Sequence, residues 1–236
     1  MLSIVIPTFN EERHLGRLLR RLRPQLRKGD EIIVVDSHST DRTASIAKRS
    51  GARVLFQPKM GNGLARTAGA RAASNGIVTF IDADALPSRD FLDRLRIHFR
   101  SPHVVAVGGL DLYHSDSGIR RLVYDTFSRS VFYWAKLAHA LTGVYWLASN
   151  NCAYRKDVFL GAGGYRSVVC EDTDLAKRLP PSRNVIYDSR LRHILSDRRF
   201  RKEGFIRTLG LWGKGNFTAF FGNGMDSSGY KTAYHE

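Results

Sequence analysis

Four short, β-branched apolar runs separated by three stretches of helical spacing fill the first hundred residues, and no other feature of the chain constrains its fold as tightly. Residues 2–6, 32–35, 53–56 and 77–81 read as strands. Between them, residues 11–26 place Leu15, Leu18, Leu19, Leu22 and Leu26 at helical spacing. Ser39 or Thr40, with Asp41, opens a helix that runs to Ser50 and that Gly51 stops, and residues 65–74 are Ala-rich and helical. Strands that are apolar at nearly every position belong to parallel sheets covered on both faces. The expected class is α/β, a doubly wound and mostly parallel sheet flanked by helices. After residue 100 the rhythm loosens. Residues 104–107 and 151–155 read as strands, 119–141 as a long aromatic-rich helix, and 172–179 as a short helix stopped by Pro180 and Pro181. No linker separates two domains, and no internal repeat is evident.

The 236 residues carry 37 Lys+Arg against 22 Asp+Glu, a formal charge of +15. A hydrophobic content of 43% with 11% aromatics is too high for a disordered basic tail, so a folded body carries this charge. Two cysteines, Cys152 and Cys170, leave no disulfide framework or cysteine-based zinc site, and the expected compartment is reducing. The apolar run after Met1 has no basic leader and stops at Pro7, too short for a signal peptide. The most apolar stretch, 131–149, is interrupted by Lys136 and His139, short of the ~18–20 apolar residues that a spanning helix needs.

In open α/β sheets, ligands bind beyond the carboxyl ends of the strands. Asp36, Asp82 and Asp84 fall there. Asp36 also suits a helix cap, and an Asp pair suits a turn. Two carboxylates one residue apart behind a buried strand repel, however, unless a cation or strong donors compensate, and Mg²⁺ or Mn²⁺ held jointly with substrate phosphates meets that need. The turn after the first strand, Pro7-Thr8-Phe9-Asn10-Glu11-Glu12, lacks the glycines of a dinucleotide fold. Gly61-Asn62-Gly63, with Lys59 and Arg66 nearby, precedes a helix and reads either as a phosphate-contacting turn or as a plain loop.

Taken in order, Ile4-Val5-Ile6-Pro7-Thr8-Phe9-Asn10-Glu11, Val34-Val35-Asp36-Ser37-His38-Ser39-Thr40-Asp41, the segment 61–69 and Phe80-Ile81-Asp82-Ala83-Asp84 resemble the family 2 glycosyltransferases of GT-A fold. Asn151-Cys152-Ala153-Tyr154-Arg155, Gly163-Gly164-Tyr165 and Glu171-Asp172-Thr173-Asp174-Leu175 resemble that family's acceptor-side motifs. The resemblance covers residues 1–180. It implies a Rossmann-like GT-A catalytic domain over 1–189, with a nucleotide-sugar half (1–100) and an acceptor half (101–189). It also implies that Pro7, Thr8, Glu11 and Asp36 hold the nucleoside, that Arg66 lies near the nucleotide, and that Asp82 and Asp84 are a D-x-D motif binding ribose and a divalent metal, Mn²⁺ or Mg²⁺. Asp172 would be the general base of an inverting transfer, with Asn151 and Glu171 beside the acceptor. As the first acid of its helix, Asp172 equally suits a dipole-stabilising role. Ser37-His38-Ser39 stands where Asp-Gly-Ser or Asn-Gly-Ser is frequent, and Arg66-Thr67 where Arg-Asn is frequent. The Gln-x-x-Arg-Trp of processive members is absent, which points to a non-processive enzyme.

The excess cations lie on the first helix and beyond residue 190. Residues 190–236 form a basic, aromatic-rich segment. At about 100° per residue, Phe205, Leu209, Trp212 and Phe220 share one helical face with Arg207 and Lys214 opposite, the pattern of a membrane-interface helix and equally of a core or dimer helix. The expected partners are a nucleotide-sugar donor, GDP-mannose ahead of UDP-sugars, and a lipid-linked or polyprenyl-phosphate-type acceptor whose phosphate suits Arg198 and Arg199. A membrane-associated enzyme at the cytoplasmic face is expected, and a homodimer is compatible. A sugar-phosphate nucleotidyltransferase is the alternative enzyme, although its Gly-rich basic loop is missing. A nucleic-acid-binding module rests on charge alone and leaves both acidic motifs unexplained.

Overall fold

The computed structural model describes residues 1–59 and 61–222. The first half alternates as the sequence predicts: β1 (Ser3–Thr8), α1 (Leu15–Leu22), β2 (Glu31–Asp36), α2 (Thr43–Arg49), β3 (Arg53–Phe56), α3 (Asn62–Ala72) and β4 (Ile77–Ile81). There follow β5 (Leu86–Pro87), α4 (Phe91–His98), β6 (Ala106–His114), α5 (Gly118–Thr142), β7 (Asn151–Arg155), α6 (Lys156–Gly161), α7 (Glu171–Arg178), β8 (Val185–Ser196), α8 (Arg198–Glu203) and α9 (Phe205–Phe221). One eight-stranded sheet runs in the order β3-β2-β1-β4-β7-β6-β8-β5. Its first four strands are parallel, with Thr8 opposite Asp36 and Val5 opposite Phe80, and β7 joins β4 antiparallel.

The continuous apolar runs follow from burial on both faces. Ile4 and Ile6 enter one core with Leu15, Leu18 and Leu22 of α1 and Phe91 and Leu95 of α4. Val5 enters the other, with Ala65 and Ala70 of α3, Phe80, Tyr154 and Phe159. Gly69 lets α3 lie against the sheet, since a Cβ there would sit 2.3 Å from Val5.

Three expectations change. The helix expected from residue 11 begins at Leu15, which leaves Glu11 on the loop above the strand ends. The strand expected at 104–107 runs to His114 because it pairs along its length with β8, with a register shift between Gly109 and Leu110. In β8, Leu191 and His193 are buried while Arg190, Arg192 and Ile194 are exposed, so the first of the C-terminal arginines decorate the outer face of a strand. A boundary between 189 and 190 therefore falls inside β8.

Beyond β8 the C-terminal segment forms α8 and α9, ending at Phe221, and its residues 223–236 lie outside the described residues. The apolar face expected on α9 is half-buried at Phe205, Leu209 and Trp212, and the buried residues of the helix are Thr208, Gly215 and Ala219. Phe205 packs on Tyr124, Phe127 and Phe200, and Trp212 packs on Phe127 and Phe200. Phe220 remains exposed. No helix among the described residues is long and apolar enough to cross a membrane.

Candidate active site

The loops after β1 and β2 are laced together by side chains. Asp36, fully buried, accepts from Thr8 Oγ1 at 3.1 Å, from Ser39 Oγ at 2.5 Å and from the Ser39 amide at 3.1 Å. It therefore organises the loop and does not cap α2, whose first turn is held by Asp41 through the Thr43 amide at 2.9 Å. Asn10 accepts from the Thr40 amide at 2.9 Å. His38 sits at φ 62, a left-handed conformation that glycine adopts without a Cβ penalty, which accounts physically for the glycine frequent at this position. Pro7 lies within buried β1.

Two arginines organise the carboxylates behind these loops. Arg66 of α3, 2% exposed, donates from one guanidinium nitrogen to Asp82 and from another to Glu171. It thereby joins the end of β4 to the start of α7. Carboxylates on both sides raise its pKa against the opposing effect of burial. Gly63 permits the closeness, since a Cβ there would sit 2.3 Å from the Glu171 carboxylate. Arg198, at the start of α8, donates to Glu11 at 2.5 Å and lies 3.3 Å from Asp84. Arg199 turns the other way, pairing with Glu203 at 3.3 Å and lying over the Trp212 ring at 5.4 Å, so the two adjacent arginines do not share a site.

Burial dominates the electrostatics. It pushes Asp84 up to about 6 against the attraction of Arg198, with Asp82 and Glu11 adding to the rise. It raises Glu11 against the same arginine, and it pushes Glu171 up to about 7 against Arg66. Asp172 is pushed up to about 6 even though it accepts from the Thr173 amide at 2.9 Å. The turn into α7 is strained at Cys170, φ 58, immediately before this acidic pair.

The sequence reading missed Asp111, on β6. It accepts from Asn150 Nδ2 at 3.0 Å and Asn151 Nδ2 at 2.9 Å, faces Asp82 and Asp84 electrostatically, and is pushed by burial up to about 7. A carboxylate between Leu110 and Leu112 was its only signal. Asn151 is fully buried and opposes Ile81 in the sheet, so it positions Asp111 behind the D-x-D segment.

Glu11, Asp82, Asp84, Asp111, Glu171 and Asp172 thus form an acidic cleft in a chain of charge +15, with Arg66 and Arg198 set between them. Among the described residues no three His, Cys, Asp or Glu side chains form a ready metal cage. Carboxylates as buried and mutually repelling as Asp82 and Asp84 nonetheless suit a divalent cation that takes one or two protein oxygens and completes its shell with phosphate oxygens.

The family model for glycosyl transferase family 2 matches residues 3–160, two-thirds of the chain and every element from β1 to β7. The chain belongs to that family. An uncharacterized glycosyltransferase of Mycobacterium tuberculosis (strain ATCC 25618 / H37Rv) is 43% identical over 82 residues, 35% of this chain and 36% of the relative. The matched stretch therefore spans about a third of the length of that relative. Among solved structures, glucosyl-3-phosphoglycerate synthase from Mycobacterium tuberculosis, in complex with Mn²⁺, UDP-glucose and phosphoglyceric acid, superposes with a TM-score of 0.65 and 21% identity over 94% of this chain and 78% of that one. A mannosyltransferase from Pyrobaculum calidifontis, in complex with GDP-Man and Mn²⁺, gives 0.64 and 22% over 82% of this chain and 56% of that one. These likenesses establish the GT-A fold of this family 2 domain.

Proposed function

We propose that this domain transfers a hexose, with inversion, from a nucleotide-sugar to a lipid-linked acceptor at the cytoplasmic face of a membrane. The observation that carries the reading is the Asp82–Arg66–Glu171 bridge, which sets a strand-end D-x-D pair against a second acidic pair whose Asp172 has a raised pKa. Pro7, Thr8, Glu11 and Asp36 line the nucleoside side. Asp84, with Asp82 beside it, would hold a divalent ion, which would supply positive charge against the departing diphosphate. Asp172 takes the proton from the attacking acceptor hydroxyl, on the sugar face opposite the leaving group. The bond from the anomeric carbon to the diphosphate oxygen breaks as the bond to the acceptor oxygen forms, so nucleoside diphosphate leaves. Solved relatives of this fold hold Mn²⁺ with GDP-Man in one case and with UDP-glucose in another, which supports a divalent cofactor. GDP-mannose is the proposed donor.

Thermal unfolding with Mn²⁺ and, in turn, GDP-mannose, UDP-glucose and UDP-N-acetylglucosamine tests the donor. GDP-mannose at ~100 times its Kd is expected to add about 2.7 kcal/mol, or several degrees in Tm, only when metal is present. A larger shift with a UDP-sugar would reassign the base, and release of pyrophosphate would instead identify a nucleotidyltransferase.

Arg198 acts as a resident cation for Glu11 and Asp84, the place where a divalent ion would compete with it, and its guanidinium suits donor phosphate oxygens. Arg198→Ala is therefore expected to bind Mn²⁺ alone more tightly than wild type, by manganese spin resonance, while losing affinity for donor. Weaker Mn²⁺ binding in that variant would show that the arginine does not compete with metal.

A further inference from the structure

Helix α5 has two apolar faces, and only one of them is used. At about 100° per residue, Tyr124, Phe132, Ala135 and His139 cluster on one side and are buried against the sheet and its loops. Ile119, Leu122, Val123, Tyr133, Trp134, Leu137 and Leu141 lie on the opposite side. There Ile119 is 78%, Leu122 68%, Trp134 68% and Leu141 71% exposed. A helix of 25 residues spans about 37 Å, and along it the stripe forms two aligned apolar patches, residues 119–123 and 133–141, separated by Thr126 and Ser130. Scattered apolar side chains are ordinary on protein surfaces, whereas an aligned stripe of this length marks an interaction surface.

Charge identifies the occupant. Arg120 lies along one flank of the stripe and Arg129 and Lys136 along the other, all exposed. The helix's single carboxylate, Asp125, faces inward, accepting from the Tyr113 amide at 2.8 Å and lying 3.8 Å from Arg121. A second copy docked on this stripe by a twofold axis would bring Arg129 and Lys136 toward their own counterparts, with no acidic residue on the face to offset them. Apolar patches carrying Trp and Tyr and flanked by Arg120, Arg129 and Lys136 suit an anionic bilayer, into which such a helix sinks along its length. We propose that the outer face of α5 is the surface by which this domain docks on anionic lipid. That assigns a membrane contact to α5; on α9, Phe205 and Trp212 are engaged in packing, while Ile206, Phe217, Phe220 and Phe221 are exposed. The inference takes its biological sense from the lipid-acceptor reading, but it is measured without donor or acceptor.

The test is cosedimentation with vesicles of phosphatidylcholine alone and of phosphatidylcholine with phosphatidylglycerol. Wild type is expected to sediment with the anionic vesicles, to do so less as salt rises, and to bind phosphatidylcholine weakly. Trp134→Glu with Leu137→Glu is expected to lower binding about tenfold or more, and Arg129→Glu with Lys136→Glu comparably but only at low salt. Both pairs of side chains are exposed, so circular dichroism should match wild type, and either pair alone carries the test if the other fails to fold. Trp134 emission should shift to the blue on anionic vesicles, and Trp134→Phe should abolish the shift. Two outcomes overturn the proposal: no preference for anionic vesicles over phosphatidylcholine, or a dimer in sedimentation equilibrium that Trp134→Glu with Leu137→Glu dissociates. Transfer to a water-soluble, short-chain acceptor is expected to be unchanged in these variants. Failure of wild type to bind anionic vesicles with that activity intact sinks the docking surface alone, and absence of that activity in a wild type that binds vesicles sinks the transfer reading alone.

Discussion

Asp172→Asn is expected to lower turnover about 10²–10⁴-fold, the range a positioned general base supplies, while leaving metal-dependent donor affinity close to wild type. The substitution is nearly isosteric, and the Asn side-chain oxygen still accepts from the Thr173 amide, so the start of α7 keeps its geometry. The base works only when ionised. With Asp172 at about 6, kcat/KM should be flat above that pH and fall about tenfold per unit below it. Stability gives a second, independent sign. A carboxylate whose folded pKa lies above its ordinary value is protonated more readily in the fold than in the unfolded chain. It therefore costs stability as pH rises from about 4 through 6, and the cost is fully present at neutral pH. Asparagine removes that cost, so the inactive variant should be the more stable by about 1–2 kcal/mol at pH 7 and should lose the slope. Loss of activity with a raised Tm separates a missing base from a damaged fold. Wild-type turnover in this variant would remove Asp172 from the mechanism.

Particular residues show how far the sequence could carry this. β1, β2 and β4 are legible because burial on both faces leaves few polar positions inside the strand, Thr79 among them, so each run ends abruptly at the point where chemistry begins: Thr8, Asp36, Asp82. β8 was not legible as a strand. Its exposed positions carry Arg190 and Arg192, and a half-buried strand with arginines on its open face has the composition of a basic extension. Asp111 was hidden for a related reason, because the strand bearing it extends past residue 107 only by pairing with β8. On α9 the buried residues are Thr208, Gly215 and Ala219, while Phe205 and Trp212 of the expected face are half-buried, and a periodicity does not reveal what a face packs against. These two pack against the aromatic side chains of Tyr124, Phe127 and Phe200. The bridges could not be read at all. Arg66 meets Glu171 across 105 residues and Arg198 meets Glu11 across 187, and neither spacing has a local signature.

The net charge changes meaning with this placement. The arginines of α1, β8 and α5 lie on outer faces, whereas the cleft is acidic and holds two cations, Arg66 and Arg198, each pinned between carboxylates. Under the proposed function, a nucleotide-sugar would meet a positive exterior that steers it and an acidic interior that would favour its phosphates together with a divalent ion.

Arg66 is the residue on which that interior depends, and its removal is the second large effect expected. Arg66→Ala leaves Asp82 and Glu171 facing one another without the buried guanidinium that bridges them, and breaking a buried pair from one side costs about 3–5 kcal/mol. For a domain of this size the loss is roughly 6–20 °C in Tm. The pH dependence follows from Glu171. Burial already pushes it up to about 7 while Arg66 holds it down, so without the arginine it rises further and stays protonated over a wider range. The variant's deficit should therefore be largest above neutral pH, where the carboxylate must ionise unpaired, and should shrink as pH falls toward the ordinary glutamate range, where folded and unfolded chains both hold the proton. Arg66→Lys keeps the charge but replaces a planar fork by a single ammonium, which reaches one carboxylate and not both. It is expected to recover part of the stability and little of the donor affinity, because the angle between the end of β4 and the start of α7 would still be free to open. Urea unfolding of the three proteins at pH 5 and pH 8, beside their donor titrations, reads both effects. Equal stability of Arg66→Ala and wild type at the higher pH would show that the two acidic motifs are held together by something other than this arginine.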